Sequence, residues 1–197
     1  MLRDYSPLDW HLLKGGAGYA QPSQAVPDRA TLEDPALNVM TDLKAVTAVI
    51  ILSGDPLDEA NRRMIQRGVR LLFVVDQDRR VVGVITSHDI IGEKPVRVVV
   101  ERGVRREELL VRDVMTPQES LQVLDLATVR VAKVGHVVAT LKQSGRQHAL
   151  VVERDSVGRQ NVRGIFSSTQ IARQLGVAIA GSGVAHTFSE IEAQLAR

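Results

Sequence analysis

The sequence predicts an α/β (α+β) fold built from two divergent copies of one strand–helix–strand–strand–helix unit. Three observations predict it. Short Val/Ile/Leu runs closed by turn residues recur along the chain, helix-period apolar positions alternate with them, and the whole order comes round twice at nearly constant spacing. Hydrophobic residues make up 44% of the chain and aromatics only 3%, so the core is aliphatic. Such a core suits buried strands with helices laid over them.

Residues 1–37 stand apart. They hold four of the seven prolines (Pro7, Pro22, Pro27, Pro35) and three of the six aromatics (Tyr5, Trp10, Tyr19), with Gly15, Gly16 and Gly18 adding flexibility. Neither a long helix nor a central strand tolerates that spacing, so the segment reads as an extended arm. Its aromatics are suited to docking on this chain's body or on a partner subunit.

The first copy spans residues 38–103. Val49–Leu52 is a strand closed by Ser53-Gly54-Asp55-Pro56, and Pro56 opens a helix. Leu57, Ala60, Met64 and Ile65 form its apolar face, and Gly68 ends it. Leu71–Val75 is a second strand, Asp76-Gln77-Asp78 a turn, and Val81–Thr86 a third strand. Ser87 is placed to cap the next helix, which Pro95 kinks or restarts and Gly103 stops.

The second copy spans 104–177. Leu121–Leu126 reads as a strand, Val134–Leu141 as a helix ended near Gly145, Ala149–Glu153 and Val162–Ser167 as strands, and Ser168 or Thr169 as the start of a last helix. The letters repeat as well. Val39-Met40-Thr41 matches Val114-Met115-Thr116 at an offset of 75, Val74-Val75-Asp76 matches Val151-Val152-Glu153 at 77, and Gly83–Thr86 matches Gly164–Ser167 at 81. A small loop insertion at Arg154–Asn161 explains the growth. Each copy is too short to bury much surface alone, so the two should pack into one body. Residues 178–197 form a linker, Gly181-Ser182-Gly183, and a short helix with Phe188, Ile191 and Leu195 on its docking face.

Together these features resemble the cystathionine-β-synthase (CBS) domain family, and a tandem CBS pair in particular. The resemblance rests on the two Val-Met-Thr segments, the second preceded by Arg112-Asp113, on the strands ending Val-Val-Asp and Val-Val-Glu, and on Gly83-Val84-Ile85-Thr86-Ser87-His88-Asp89. It covers residues 38–177. It implies two βαββα repeats packed through their sheets about a pseudo-two-fold axis. It also implies clefts that take AMP, ADP, ATP or S-adenosylmethionine as regulatory ligands, and a homodimer that modulates an unidentified protein.

The family's ligand motif is a glycine, two apolar residues, Thr or Ser, two variable residues and Asp. Copy one carries it as Gly83, Thr86 and Asp89, with Ser87 beside them. Glycine lets backbone approach a ligand, and a helix start favours a phosphate. The resemblance gives Asp89 the ribose hydroxyls. The same letters also spell a helix cap, and local sequence alone leaves both readings open. Copy two has Gly164 and Ser167 but Gln170 in place of the acid, an amide with no charge to offer a diol. Arg70 and His148, near the starts of the second strands, are placed for phosphates. Ile50, Ile51 and Ser53 resemble the segment that contacts adenine.

Other functions find little support. Net charge is +2, far from the concentrated excess of a nucleic-acid binder. There is no cysteine, so thiolate chemistry and Cys-type zinc sites are excluded. The five histidines show no metal-ligand spacing, and no nucleophile elbow or phosphate loop is present. Arg102, Arg105 and Arg106 are flanked by Glu101, Glu107 and Glu108 and read as a solvated, salt-bridged surface. The expectation is a non-enzymatic, cytoplasmic regulatory module without a catalytic cofactor, metal or membrane span. A ligand-free dimerisation module is the alternative.

Overall fold

A computed structural model describes residues 29–177 together with Ser189 and Ile191. In copy one, β2 (Ile50–Leu52) leads through α1 (Leu57–Arg67) to a parallel partner, β3 (Leu71–Val75), which turns back into antiparallel β4 (Val81–Thr86). Helices α2 (Ser87–Ile91) and α3 (Glu93–Arg102) follow, and the short α4 (Val111–Val114) leads toward copy two. Copy two repeats the plan with β6 (Val123–Asp125), α5 (Leu126–Val131), α6 (Val134–Ser144), β7 (His148–Arg154), β8 (Gln160–Ser167) and α7 (Ser168–Gln174). Even the bulges repeat. The register slips between Val74 and Val75 in one hairpin and between Val151 and Val152 in the other.

The lead-ins cross over. β1 (Thr41–Asp42), which precedes copy one, pairs with β8 of copy two, and β5 (Thr116–Pro117), which precedes copy two, pairs with β4 of copy one. The sheets are therefore β1-β8-β7-β6 and β2-β3-β4-β5. Matching bridges, Pro35 to Lys133 and Leu110 to Pro56, extend the exchange. This reciprocity is why Val-Met-Thr appears twice. Each segment carries a methionine over the other copy's strand glycine. A Cβ on Gly164 would lie 2.4 Å from Met40 Sδ, and one on Gly83 would lie 2.6 Å from Thr116 O and 3.1 Å from Met115 Sδ. Real side chains do not approach so closely, so the crossing backbone requires Gly83, whereas a side chain at Gly164 would have to push the Met40 side chain aside.

Three apolar layers result. Leu72, Val74 and Ile85 point to the copy-one helices, meeting Leu57, Met64 and Ile90. Val151 and Phe166 point to the copy-two helices, meeting Val137, Leu141 and Ile171. Leu71, Phe73, Val75 and Val84 face Leu150 across the gap between sheets. Strand β3 is thus buried on both faces, as its unbroken apolar run requires.

Several elements differ from the sequence expectations. The strand expected over Leu121–Leu126 is only Val123–Asp125, and Leu126 begins a helix that the β-branched Thr128, Val129 and Val131 disguise. Pro56 precedes the first helical residue instead of occupying it. The insertion in copy two adds no loop. It lengthens the hairpin by the pairs Glu153–Asn161 and Arg154–Gln160, while five-residue tips close both hairpins. At the end of the expected arm, Ala30 donates its N–H to Gln174 O at 2.8 Å and Ala36 donates to Ala132 O at 2.9 Å, so residues 29–37 run along copy two. Residues 1–28 lie outside the described residues. So do Phe188 and Leu195, whereas Ile191 is helical and buried against the copy-two core. Among the described residues no helix is long and apolar enough to cross a membrane.

Candidate functional site

A cavity of about 260 Å³ opens where the two copies meet, at the end of the inter-sheet layer nearest the starts of β3 and β7. Copy one supplies Leu71, Thr86, His88 and Asp89. The crossing lead-in supplies Thr116, Leu121 and Gln122, and copy two supplies Arg146, Gln147 and His148.

Thr86 ends β4 and caps α2. Its N–H and hydroxyl donate to Asp89 Oδ2 at 2.8 and 2.7 Å, and the Asp89 N–H donates back to the Thr86 hydroxyl at 3.3 Å. This reciprocal pair satisfies the free donors of a helix start. Thr86, not Ser87, is therefore the cap, because the acid three residues on closes its box. The other carboxylate oxygen is held as well. Lys94, on α3, donates to Asp89 Oδ1 at 2.5 Å and to Val114 O at 3.3 Å. Asp89 is buried, with a side chain 8% exposed, and the lysine links it to the lead-in of copy two.

Copy two shows what the amide changes. Gln170 accepts one hydrogen bond, from Thr41 on the crossing strand β1, at 3.3 Å. Ser167 caps α7 without a side-chain hydrogen bond. The backbone bonds remain equivalent. Ser87 N–H donates to Arg70 O at 3.0 Å, and Ser168 N–H donates to Gln147 O at 2.9 Å. Arg70 therefore corresponds to Gln147, and His148 to Leu71. The strand-start positions are offset by one residue from the parallel expected between Arg70 and His148.

His148 faces both charges of copy one. Burial, and after it the charge of Arg70, lower its pKa to about 4 against the opposing pull of Asp89. The imidazole is neutral at pH 7 and can accept or donate one hydrogen bond at the cavity wall.

Of the residues expected at the site, Thr86, Asp89 and His148 line this cavity, and Arg70 acts on it through His148. Ser87 begins α2 behind Thr86. Ser167 pairs with His148 across β7 and β8 without lining the cavity. Gly83 does not line it either; the crossing strand uses its space. Ile51 is buried in the copy-one core, Ile50 faces the inter-sheet layer, and Ser53 accepts from the Arg112 N–H in a turn. Lys94, Gln122 and Arg146 are not singled out in the sequence, and Thr116 only as the end of the repeated Val-Met-Thr, because nothing local marks residues that reach the site from separate elements. The basic cluster is engaged elsewhere. Arg102 pairs with Asp113 at 2.6 Å, Arg105 with Glu108 at 3.6 Å, and Arg106 donates to Ile90 O. Among the described residues no group of His, Asp and Glu could hold a metal ion.

The CBS domain family model matches residues 38–95. No curated protein matches the chain. The fold is similar to the crystal structure of an uncharacterized conserved protein from Pyrococcus horikoshii, with a TM-score of 0.53 and 22% identity over 78% of this chain and 100% of that one. It is also similar to the CBS-pair protein CBSX2 from Arabidopsis thaliana (TM-score 0.48, 19% identity, 73% of this chain and 94% of that one). A complex of CBSX2 with AMP gives a TM-score of 0.49 at 18% identity, over 71% and 94% of the two chains. The family match falls on copy one, residues 38–95, and copy two repeats the same strand and helix order and exchanges strands with it.

Proposed function

We propose that the chain is a non-catalytic regulatory module that senses an adenosine-containing ligand, from the set AMP, ADP, ATP and S-adenosylmethionine, and modulates a partner protein in the cytoplasm as a homodimer. The observation that carries this reading is the cavity between the copies. Thr86 and Asp89 of one copy face His148 and Arg146 of the other there, so an occupant would touch both. A ligand that bridges two packed units shifts their arrangement only by its different affinity for the two arrangements. The carboxylate would serve the ribose hydroxyls and the basic groups the phosphates. A diol reaching Asp89 Oδ1 would share that oxygen with Lys94, which already donates to it.

The test is a thermal-shift panel with the four ligands. At least one is expected to raise Tm by several degrees at millimolar concentration, and Asp89→Ala should remove the rise. No shift with any of them sinks the reading. A ligand-free dimerisation module is the second reading, favoured by one observation: Thr86 and Lys94 already satisfy both Asp89 oxygens. That reading expects a stable dimer whose Tm is indifferent to all four.

A further inference from the structure

A second hollow, a groove of about 900 Å³, lies at the opposite end of the inter-sheet layer, and its lining comes in matched pairs. Ile50 pairs with Phe73 as Val123 pairs with Leu150, and Val75 pairs with Val81 as Val152 pairs with Val162. All eight line the groove. A hollow lined by equivalent residues of both copies lies on the axis that relates them, away from the Asp89 motif. It shares only Leu121 and Leu150 with the cavity described above.

The floor is aliphatic and aromatic, with no charged side chain among those eight. The rim is charged and unequal. The hairpin tips match residue for residue: the Asp76 N–H donates to Arg80 O as the Asp155 N–H donates to Arg159 O. Within them Arg79 occupies the position of Gly158. Gly158 has φ +82°, and Arg79 has φ +61°, the single positive φ of a non-glycine residue among those described. L-residues disfavour this conformation, and copy two meets the same turn with glycine. Copy one keeps a long cation there instead. Arg159 pairs with Asp155 at 2.8 Å and Arg80 with Asp78 at 3.5 Å, whereas Arg79 forms no ion pair among the described residues and lines the groove.

We propose that this axial groove binds a free amphipathic monoanion, a carboxylate on an aliphatic body such as a medium-chain fatty acid, with Arg79 holding the carboxylate. A polyphosphate fits poorly, since the remaining rim arginines are already paired with carboxylates and the floor offers no polar side chain. The volume is that of an ordinary small-molecule site, and an apolar floor with one cation free of ion pairs on a rim that also holds Gln118, Gln160 and Asn161 selects for an apolar anion.

The experiment is calorimetric titration of the full chain with decanoate below its micelle threshold, and with decanol as an uncharged match. Expected are saturable one-to-one binding of decanoate and at least tenfold weaker binding of decanol. Arg79→Gly places copy two's own turn residue in copy one, so folding is preserved, and should bring decanoate down to the decanol level. Arg79→Lys should retain most of the preference. Asp89→Ala should leave decanoate binding unchanged, which separates this groove from the nucleotide reading. The proposal is overturned by absence of saturable binding, by equal affinities for acid and alcohol, by a preference that survives Arg79→Gly, or by binding lost in Asp89→Ala.

Discussion

The two strand-to-helix junctions began from one plan and now do different work. At the copy-one junction Thr86, Asp89 and Lys94 form a closed set of charged and polar contacts beside the inter-copy cavity. At the copy-two junction Ser167 makes no cap bond and Gln170 keeps one long contact to Thr41. The backbone is the same at both, down to the bond from Ser87 or Ser168 to the strand before it. Duplication conserved the scaffold that packing demands. The side chains that packing leaves free have diverged, and they are where a ligand-binding role can reside.

The sharpest way to probe the shared scaffold is to add one methyl group to each strand glycine. Gly83→Ala meets the Thr116 carbonyl, which is backbone and cannot turn aside, and is expected to cost about 3 kcal/mol. Gly164→Ala meets the Met40 side chain, which can change rotamer, and should cost only about 1 kcal/mol. Urea unfolding of both variants measures the difference. Equal costs would mean that the crossing strands yield as readily as a methionine.

Next come the junction acids. Asp89→Ala removes the helix-cap box and leaves Lys94 without its carboxylate, a loss of about 2 kcal/mol. Gln170→Ala removes a single 3.3 Å contact and should stay within about 0.5 kcal/mol of the parent. The reciprocal change sharpens the functional side of the comparison. If the nucleotide reading holds, Gln170→Asp should raise the calorimetric stoichiometry from one ligand per chain toward two. An unchanged stoichiometry would show that the missing acid is not what separates the junctions.

The contrast also explains what could be read in the letters. Long regular elements were legible: β3 and β4 fall on the expected Leu71–Val75 and Val81–Thr86, and Gly68 and Gly103 end the expected helices. The repeated Val-Met-Thr was visible, but its exchange between sheets was not. A two-residue strand has no period, and its partner lies far along the chain. The motif at Thr86 and Asp89 was legible because its members are adjacent. Lys94 was hidden because it folds back from the next helix, and Arg146 because it comes from the other copy. Sequence shows which residues neighbour one another along the chain, and the cavity is made by residues that do not.

The smallest effect tests one last inequality. His148 occupies the place that Leu71 holds in copy one, and burial keeps its pKa near 4 in the folded chain against 6.5 for the free side chain. A folded pKa below the unfolded one means that the unfolded chain takes up the proton first. The neutral imidazole's contribution is therefore complete above pH 6.5 and is lost as pH falls from there toward 4. His148→Leu copies the residue of the other strand and should flatten stability across that window. Losses below pH 4 should persist, because Asp113 still titrates there. Burial works against its ionisation, but the Leu110 N–H and Arg102 outweigh that and hold its carboxyl below the ordinary value. Chemical denaturation at half-unit steps from pH 7 to 4 reads the slope. A wild-type slope that His148→Leu leaves intact would place the proton uptake on another group and remove His148 as the feature that makes the copy-two wall of the cavity sensitive to acid.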